Sequence, residues 1–198
     1  MGRRPRSGVT WFGDGYIGST VSFDDPRQSM PIRNTIDTPS AERAQQAVAT
    51  VGPYAHREIA ALEELTRAGC SCTPTLLARK NERQGSHMWI PGGLMVYILM
   101  EKLPGVCLDT FFSLDRAERD GVRRSFQEAW EECRARGVIP KDRGSQNLLW
   151  HRAARKCYIV DFERWRRAKP TDEWDDSEYP LWDLAYWRVG DGRGAMEL

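Results

Sequence analysis

Apolar positions change their rhythm several times along the chain, and each rhythm predicts a different element. Residues 1–53 hold few apolar runs and many Gly, Pro, Ser, Thr and Asp. Three short stretches there, Val9–Phe12, Tyr16–Phe23 and Ser29–Ile32, read as strands, and Ala41–Ala49 reads as one weak helix. From Tyr54 to Ala68, the residues Ile59, Leu62 and Leu65 fall on one stripe of an amphipathic helix. Gly69 closes it and Pro74 follows shortly after. The polar segment Arg79–His87 reads as a loop. Pro91-Gly92-Gly93 then opens the apolar run Leu94–Met100, which has the length of a buried strand.

Pro104-Gly105 breaks the chain again. Ser113-Leu-Asp-Arg116 offers a cap for a long helix running to about Arg136, on which Val122, Phe126, Ala129 and Cys133 recur at helical spacing. Gly137 ends that helix. Leu148–Trp150 and Cys157–Asp161 read as two short strands around a basic turn, His151–Lys156. Residues 166–180 are charged and irregular, and Pro180–Trp187 reads as a last short helix. There is no internal repeat and no low-complexity linker. Strands first and helices later predict an α+β fold.

Composition narrows the picture by exclusion. At 198 residues the chain is about one domain long, with 40% hydrophobic and 29% charged residues, ordinary for a globular protein. A net charge of +1 supplies no field to draw in nucleic acid or a membrane surface. No apolar run reaches the roughly 18 residues of a membrane span. The basic start, Met1 to Arg6, lacks the apolar region of a secretory signal, and Arg6 stands where a myristoylation signal wants Ser or Thr. The five cysteines are scattered, with no histidine at zinc-ligand spacing. They read as reduced, mostly buried thiols, so the expected location is cytoplasmic.

Candidate chemistry concentrates between Gly137 and Glu163. Asp142 and Asn147 stand five apart in a loop after the long helix, and Asp161 comes fourteen residues later at the end of an apolar strand. Two carboxylates and an amide at the ends of neighbouring short strands are hard oxygen donors of the kind that suit Mg²⁺. Phosphoryl transfer needs such a set, one carboxylate to orient the attacking group and others to hold metal against the phosphates.

In these residues the chain resembles the protein-kinase-like superfamily. Asp142-x-x-x-x-Asn147 is similar to its catalytic loop, and Tyr158-Ile-Val-Asp161-Phe-Glu163 to its metal-binding motif. The acid after Asp-Phe looks more like the aminoglycoside and small-molecule phosphotransferase branch. So does Pro180-Leu-Trp-Asp183-Leu-Ala, which resembles a helix start of that branch. Val96–Gly105 resembles the strand and hinge that meet adenine. The set is also similar to small fungal kinase-like proteins of unassigned chemistry. The resemblance covers roughly residues 54–187. It implies a kinase-like fold with a reduced N-lobe sheet, residues 1–100, including a helix-C-like helix over 54–68. A truncated helical C-lobe, residues 101–198, would hold the catalytic loop 137–150 and the metal motif 158–163.

By position the resemblance implies Asp142 as catalytic base and Asn147 and Asp161 as metal ligands. Backbone groups near Glu101 and Leu103 would meet adenine. Glu58 would orient a phosphate-binding cation, or else lie on a solvated helix face. Gly13, Gly15 and Gly18 fit a Gly-x-Gly-x-x-Gly loop over phosphates, and equally a plain hairpin turn; the β-like residues after Gly18 speak against a dinucleotide fold. No lysine precedes Lys80, so Arg33 is the nearest substitute for the phosphate-binding lysine, or else an ordinary surface arginine.

Other departures follow. Pro140 stands where the superfamily usually has His. Lys141 and Arg143 flank Asp142, a placement that weakens it as a base or holds substrate anions. Only twenty-two positions separate Asp161 from Asp183, too few for the activation segment that grips a polypeptide substrate.

The implied activity is transfer of phosphate from ATP, with Mg²⁺, to a small-molecule acceptor. Two alternatives stay open. One is a catalytically degenerate kinase fold that binds a partner protein. The other is a kinase-fold enzyme turned to non-phosphoryl chemistry in secondary metabolism.

Overall fold

The computed structural model describes residues 9–11, 19–22, 42, 44–88, 90–187 and 196–197. Helices and small antiparallel sheets are mixed in it, as expected of an α+β chain. The chain divides into two compact units, Met1–Ile59 with Leu76–Lys102, and Ala60–Thr75 with Leu103–Leu198. None of the helices among the described residues is long and apolar enough to cross a membrane.

The first unit is built on a four-stranded sheet. Strand β1 (Val9–Trp11) pairs with β2 (Ser19–Ser22), β2 with β4 (Leu94–Met100), and β4 with β3 (Leu76–Arg83), all antiparallel. The apolar run Leu94–Met100 takes the central place its composition demands, with Val96, Ile98 and Met100 buried. Its neighbour β3 corrects the expectation of a loop over Arg79–His87. Residues 79–83 are strand, and no hydrophobic alternation marks them because β3 is an edge strand whose residues past Leu76 are exposed. A bulge between Leu76 and Ala78 leaves Leu77 unpaired and pointing outward, 59% exposed. The expected helix over 41–49 is shorter than its reading: Glu42 and Ala44 are helical, Gln45 N–H closes onto Glu42 and Ala47 N–H onto Ala44, and residues 47–49 are not helix. The expected strand Ser29–Ile32 lies outside the described residues.

Helix α1 (Pro53–Arg67) runs from one unit into the other, buries Ile59, Leu62 and Leu65 as its stripe predicts, and ends within the second unit. The Gly69 N–H reaches the Thr66 carbonyl and the Cys70 N–H the Leu65 carbonyl, with Gly69 left-handed at φ 66°. This double closure needs a residue that tolerates positive φ, which is why glycine stands there.

The rest of the second unit packs around α2 (Arg116–Ala135). Asp115 caps it by accepting the Glu118 N–H at 2.8 Å, within the capping segment expected at Ser113–Arg116. Val122, Phe126, Ala129 and Cys133 form its buried stripe. That stripe lies against β8 (Lys156–Ile159) and β6 (Val138–Pro140). Strand β7 (Leu148–His151) forms a hairpin with β8 and pairs on its other side with β5 (Val106–Cys107). A 3-10 helix, Leu108–Ser113, follows β5. Strand β6 pairs with β9 (Trp165–Arg167), so the segment expected to be irregular from 166 starts as strand. Both are three residues long, too short to leave a periodic signal.

The final helix is also corrected. Helix α3 is one turn, Glu178–Leu181, and it ends where Pro180–Trp187 was expected to begin. Pro180 sits in the first turn, where its missing N–H costs nothing. Asp183 is left-handed at φ 57° and the Leu184 N–H closes onto the Tyr179 carbonyl, which stops the helix. Short strands β10 (Tyr186–Trp187) and β11 (Met196–Glu197) pair beyond it.

The cap on α2 gives a direct check. Asp115→Ala is expected to cost about 1 kcal/mol of unfolding free energy, while Asp115→Asn keeps most of it. Urea denaturation of the three proteins measures this, and equal midpoints would show that the cap contributes nothing.

Candidate functional site

Strand β6 delivers Asp142, and the pairing of β6 with β9 is prolonged by one bond, Lys141 N–H to the Arg164 carbonyl. The chain then turns at Gly144, whose φ of 147° favours glycine, into a one-turn 3-10 helix, Ser145–Asn147. Asn147 closes this loop on itself. Its Nδ2 donates to the Asp142 backbone carbonyl at 2.8 Å and to Asp142 Oδ2 at 3.3 Å. Asp142 is 7% exposed and Asn147 5%, so the contact sits largely out of water, where a hydrogen bond is stronger and a missing one costs more. With both donor contacts spent on Asp142, Asn147 Oδ1 accepts no hydrogen bond from the described residues.

Asp161 is brought to the same loop by the backbone. The Val160 N–H donates to the Asn147 carbonyl at 2.9 Å, so Asp161 stands one residue beyond that bond. It is half-buried and left-handed, at φ 65°, and its Oδ1 accepts the Glu163 N–H at 3.2 Å. A non-glycine residue in this region stores of order 1 kcal/mol of strain, and such positions cluster where geometry serves a site. Phe162, the next residue, is fully buried.

The flanking cations are not aimed alike. Arg143 forks onto Glu178 of α3, Nε to Oε2 at 3.0 Å and NH2 to Oε1 at 2.5 Å, and Glu178 Oε2 also accepts Trp182 Nε1 at 3.1 Å. Arg143 therefore anchors the loop to α3, a role the sequence reading did not foresee because the partners lie 35 residues apart. Lys141 is half-buried, and burial first, then the charge of Arg143, lowers its ammonium from the usual lysine range. Arg166 is forked on Asp172 at 2.6 Å through both nitrogens.

The other sequence candidates are distributed. Glu58 is on α1 and only 7% exposed, which corrects the solvated-face alternative. Glu101 is exposed and Leu103 half-buried in the irregular stretch after β4. Gly13, Gly15, Gly18 and Arg33 lie outside the described residues; residues 19–22, just after Gly18, are strand as their β-like composition suggests. A cavity of about 450 Å³ opens in the second unit, lined by Val106, Leu108, Leu114, Trp150 and Arg152 among others. Asp142, Asn147 and Asp161 take no part in its walls. Two clusters of chemistry-bearing side chains thus stand apart from it, this loop and a group of three thiols, Cys70, Cys72 and Cys133.

No protein-family model matches the chain, and no curated protein matches it. Among solved structures it is similar to the kinase PK-1 of the Cydia pomonella granulovirus, at 13% identity and a TM-score of 0.42. That match covers 61% of this chain and 42% of the viral one.

The fork between Arg143 and Glu178 can be weighed by mutation. Arg143→Ala leaves a largely buried carboxylate without its cation and is expected to cost about 2–3 kcal/mol. Arg143→Lys should recover only part of this, since an ammonium lacks the planar fork. Denaturant unfolding measures both, and a neutral alanine variant would show the loop is held otherwise.

Proposed function

We propose that the chain is a kinase-like phosphotransferase that moves a phosphoryl group from ATP to a hydroxyl or amine of a small molecule. One observation carries this reading. Asn147 gives its amide nitrogen to Asp142 and is bonded through its backbone carbonyl to Val160, the residue before Asp161, which supports a shared role for the three. Two carboxylates and an amide oxygen form a hard donor set that fits Mg²⁺. Asn147 and Asp161 would hold the ion, which would offset negative charge on the phosphates.

Asp142 has the part of orienting the acceptor and taking its proton as the new bond to phosphorus forms. The bond from Asn147 Nδ2 to Oδ2 holds that carboxylate in place for the part. Arg143, spent on Glu178, steadies the loop. Glu101 and Leu103 would meet the adenine. Gly13, Gly15, Gly18, Arg33 and Glu58 would serve the phosphates, as the resemblance implies.

Thermal melting with ATP, with and without Mg²⁺, tests the binding step. A nucleotide at about a hundred times its Kd adds about 2.7 kcal/mol, a rise of several degrees for a chain of this size. The rise should need Mg²⁺ and disappear in Asp161→Asn. Asp142→Asn should keep the rise yet lose about 10²–10⁴-fold in product formation across a panel of metabolites. An ATP response indifferent to both Mg²⁺ and Asp161 would sink the assignment.

A further inference from the structure

The second unit holds a cluster that the phosphotransferase reading does not use. Cys70, Cys72 and Cys133 bring three sulfurs within 4.8 Å of one another, the one such group of Cys, His, Asp or Glu among the described residues. Cys70 Sγ stands 3.4 Å from Cys72 Sγ, and Cys72 Sγ 3.8 Å from Cys133 Sγ. Metal–thiolate bonds of about 2.3 Å put bound sulfurs about 3.8–4.0 Å apart, so the thiols already stand near coordinating distance.

We propose that Cys70, Cys72 and Cys133 form a tris-thiolate site for one thiophilic d¹⁰ metal ion, Zn²⁺ or Cu⁺. Soft thiolates select these ions over Mg²⁺ or Ca²⁺. As each sulfur–metal bond forms, the thiol proton leaves to solvent.

The surroundings are built to hold the sulfurs still. The glycine closure at the end of α1 presents Cys70. Cys72 is pinned from two sides, its carbonyl accepting the Ile159 N–H at 2.9 Å and its thiol donating to the Ala129 carbonyl at 3.3 Å. Cys133 is fully buried on the last turns of α2. Between the first two thiols, Ser71 is clamped to α2 by Glu132, which accepts its N–H at 2.8 Å and its hydroxyl at 3.0 Å. Arg136 ties the same corner, donating to the Ala68 and Gly69 carbonyls while pairing with Glu132 at 2.9 Å. Outer contacts of this kind orient the ligands of metal centres. Arg136 is offset by Glu132, while Lys156, 3.2 Å from Ser71 Oγ, places positive charge on the segment that carries Cys70 and Cys72, whose site becomes anionic when filled. A groove of about 260 Å³, with Cys72 and Glu132 in its wall, gives an ion a way in.

Coordination number separates the two ions. Three sulfurs complete a trigonal Cu⁺ site, whereas Zn²⁺ takes a fourth ligand from water in the groove.

The full chain, reduced and stripped of metal without oxygen, is titrated with Zn²⁺ and separately with Cu⁺ against competing chelators. Native mass spectrometry reads stoichiometry, ultraviolet charge transfer reads thiolate bonding, and X-ray absorption reads the ligand count. One ion per chain with three sulfur ligands is expected for whichever ion prevails.

Cys70→Ser, at the most exposed of the three positions, should lower affinity at least about 100-fold with little change in the melting of the metal-free protein. Cys157→Ser, a buried thiol outside the triad, should bind as the wild type does. Absence of stoichiometric binding, an affinity indifferent to Cys70→Ser, or a disulfide between any two of the three in the freshly purified protein overturns the proposal.

Discussion

The seam between α2 and the outer edge of β8 organises the second unit. Strand β8 is the last strand of its sheet, so its outward N–H groups need partners or water. Two of them are met from outside the sheet. The Cys157 N–H donates to Ser125 Oγ of α2 at 2.9 Å, and the Ile159 N–H donates to the Cys72 carbonyl. Around these polar bonds the helix buries Val122, Phe126, Ala129 and Cys133, each large side chain contributing roughly 1.5–3 kcal/mol. Serine and cysteine are small enough to let helix and strand approach this closely. A bulkier residue at 125 would remove the bond and push the seam apart.

What the seam positions is the hairpin, and the hairpin positions the candidate loop. Leu148 pairs with Ile159, so the residues just outside that pair, Asn147 and Val160, meet in the bond that sets Asp161 beside the loop. On its other side the loop is tied down by the fork of Arg143 on Glu178 and by β6 against β9. An aromatic group made of Phe126, Trp174, Tyr179 and Trp182, with ring centroids 5.1–6.5 Å apart, fills the space between α2 and α3 and carries Glu178 on its edge.

Much of this was legible in the sequence where the pattern was long enough to have a period. The stripes of α1 and α2 and the apolar run of β4 appeared within about two residues of their observed limits. Strand β3 did not, since an edge strand that buries neither face carries no alternation. The three-residue pair β6 and β9 did not, because their partners are set by tertiary contact. The last helix lies earlier than its pattern suggests because Pro180 resembles a start signal, while the stop comes from the left-handed Asp183, which no composition rule reveals. In the candidate site, the spacing of Asp142, Asn147 and Asp161 was visible, but the side-chain bond from Asn147 to Asp142 was not. The partner of Arg143 lies 35 residues away, and Cys133 lies 61 residues from Cys72, beyond the reach of any local pattern.

Among the described residues β3 is an outer strand of its sheet, and its side chains shape the company this protein keeps. From Ala78 to Arg83 that strand shows solvent a run of arginine, lysine, asparagine and glutamate, with the bulge at Leu77 bending its start. A neighbouring chain trying to add itself as a fifth strand would have to strip water from those ionic heads and match a kinked backbone. Crowded molecules are thereby discouraged from stacking edge to edge, and an otherwise sticky sheet margin is left to water.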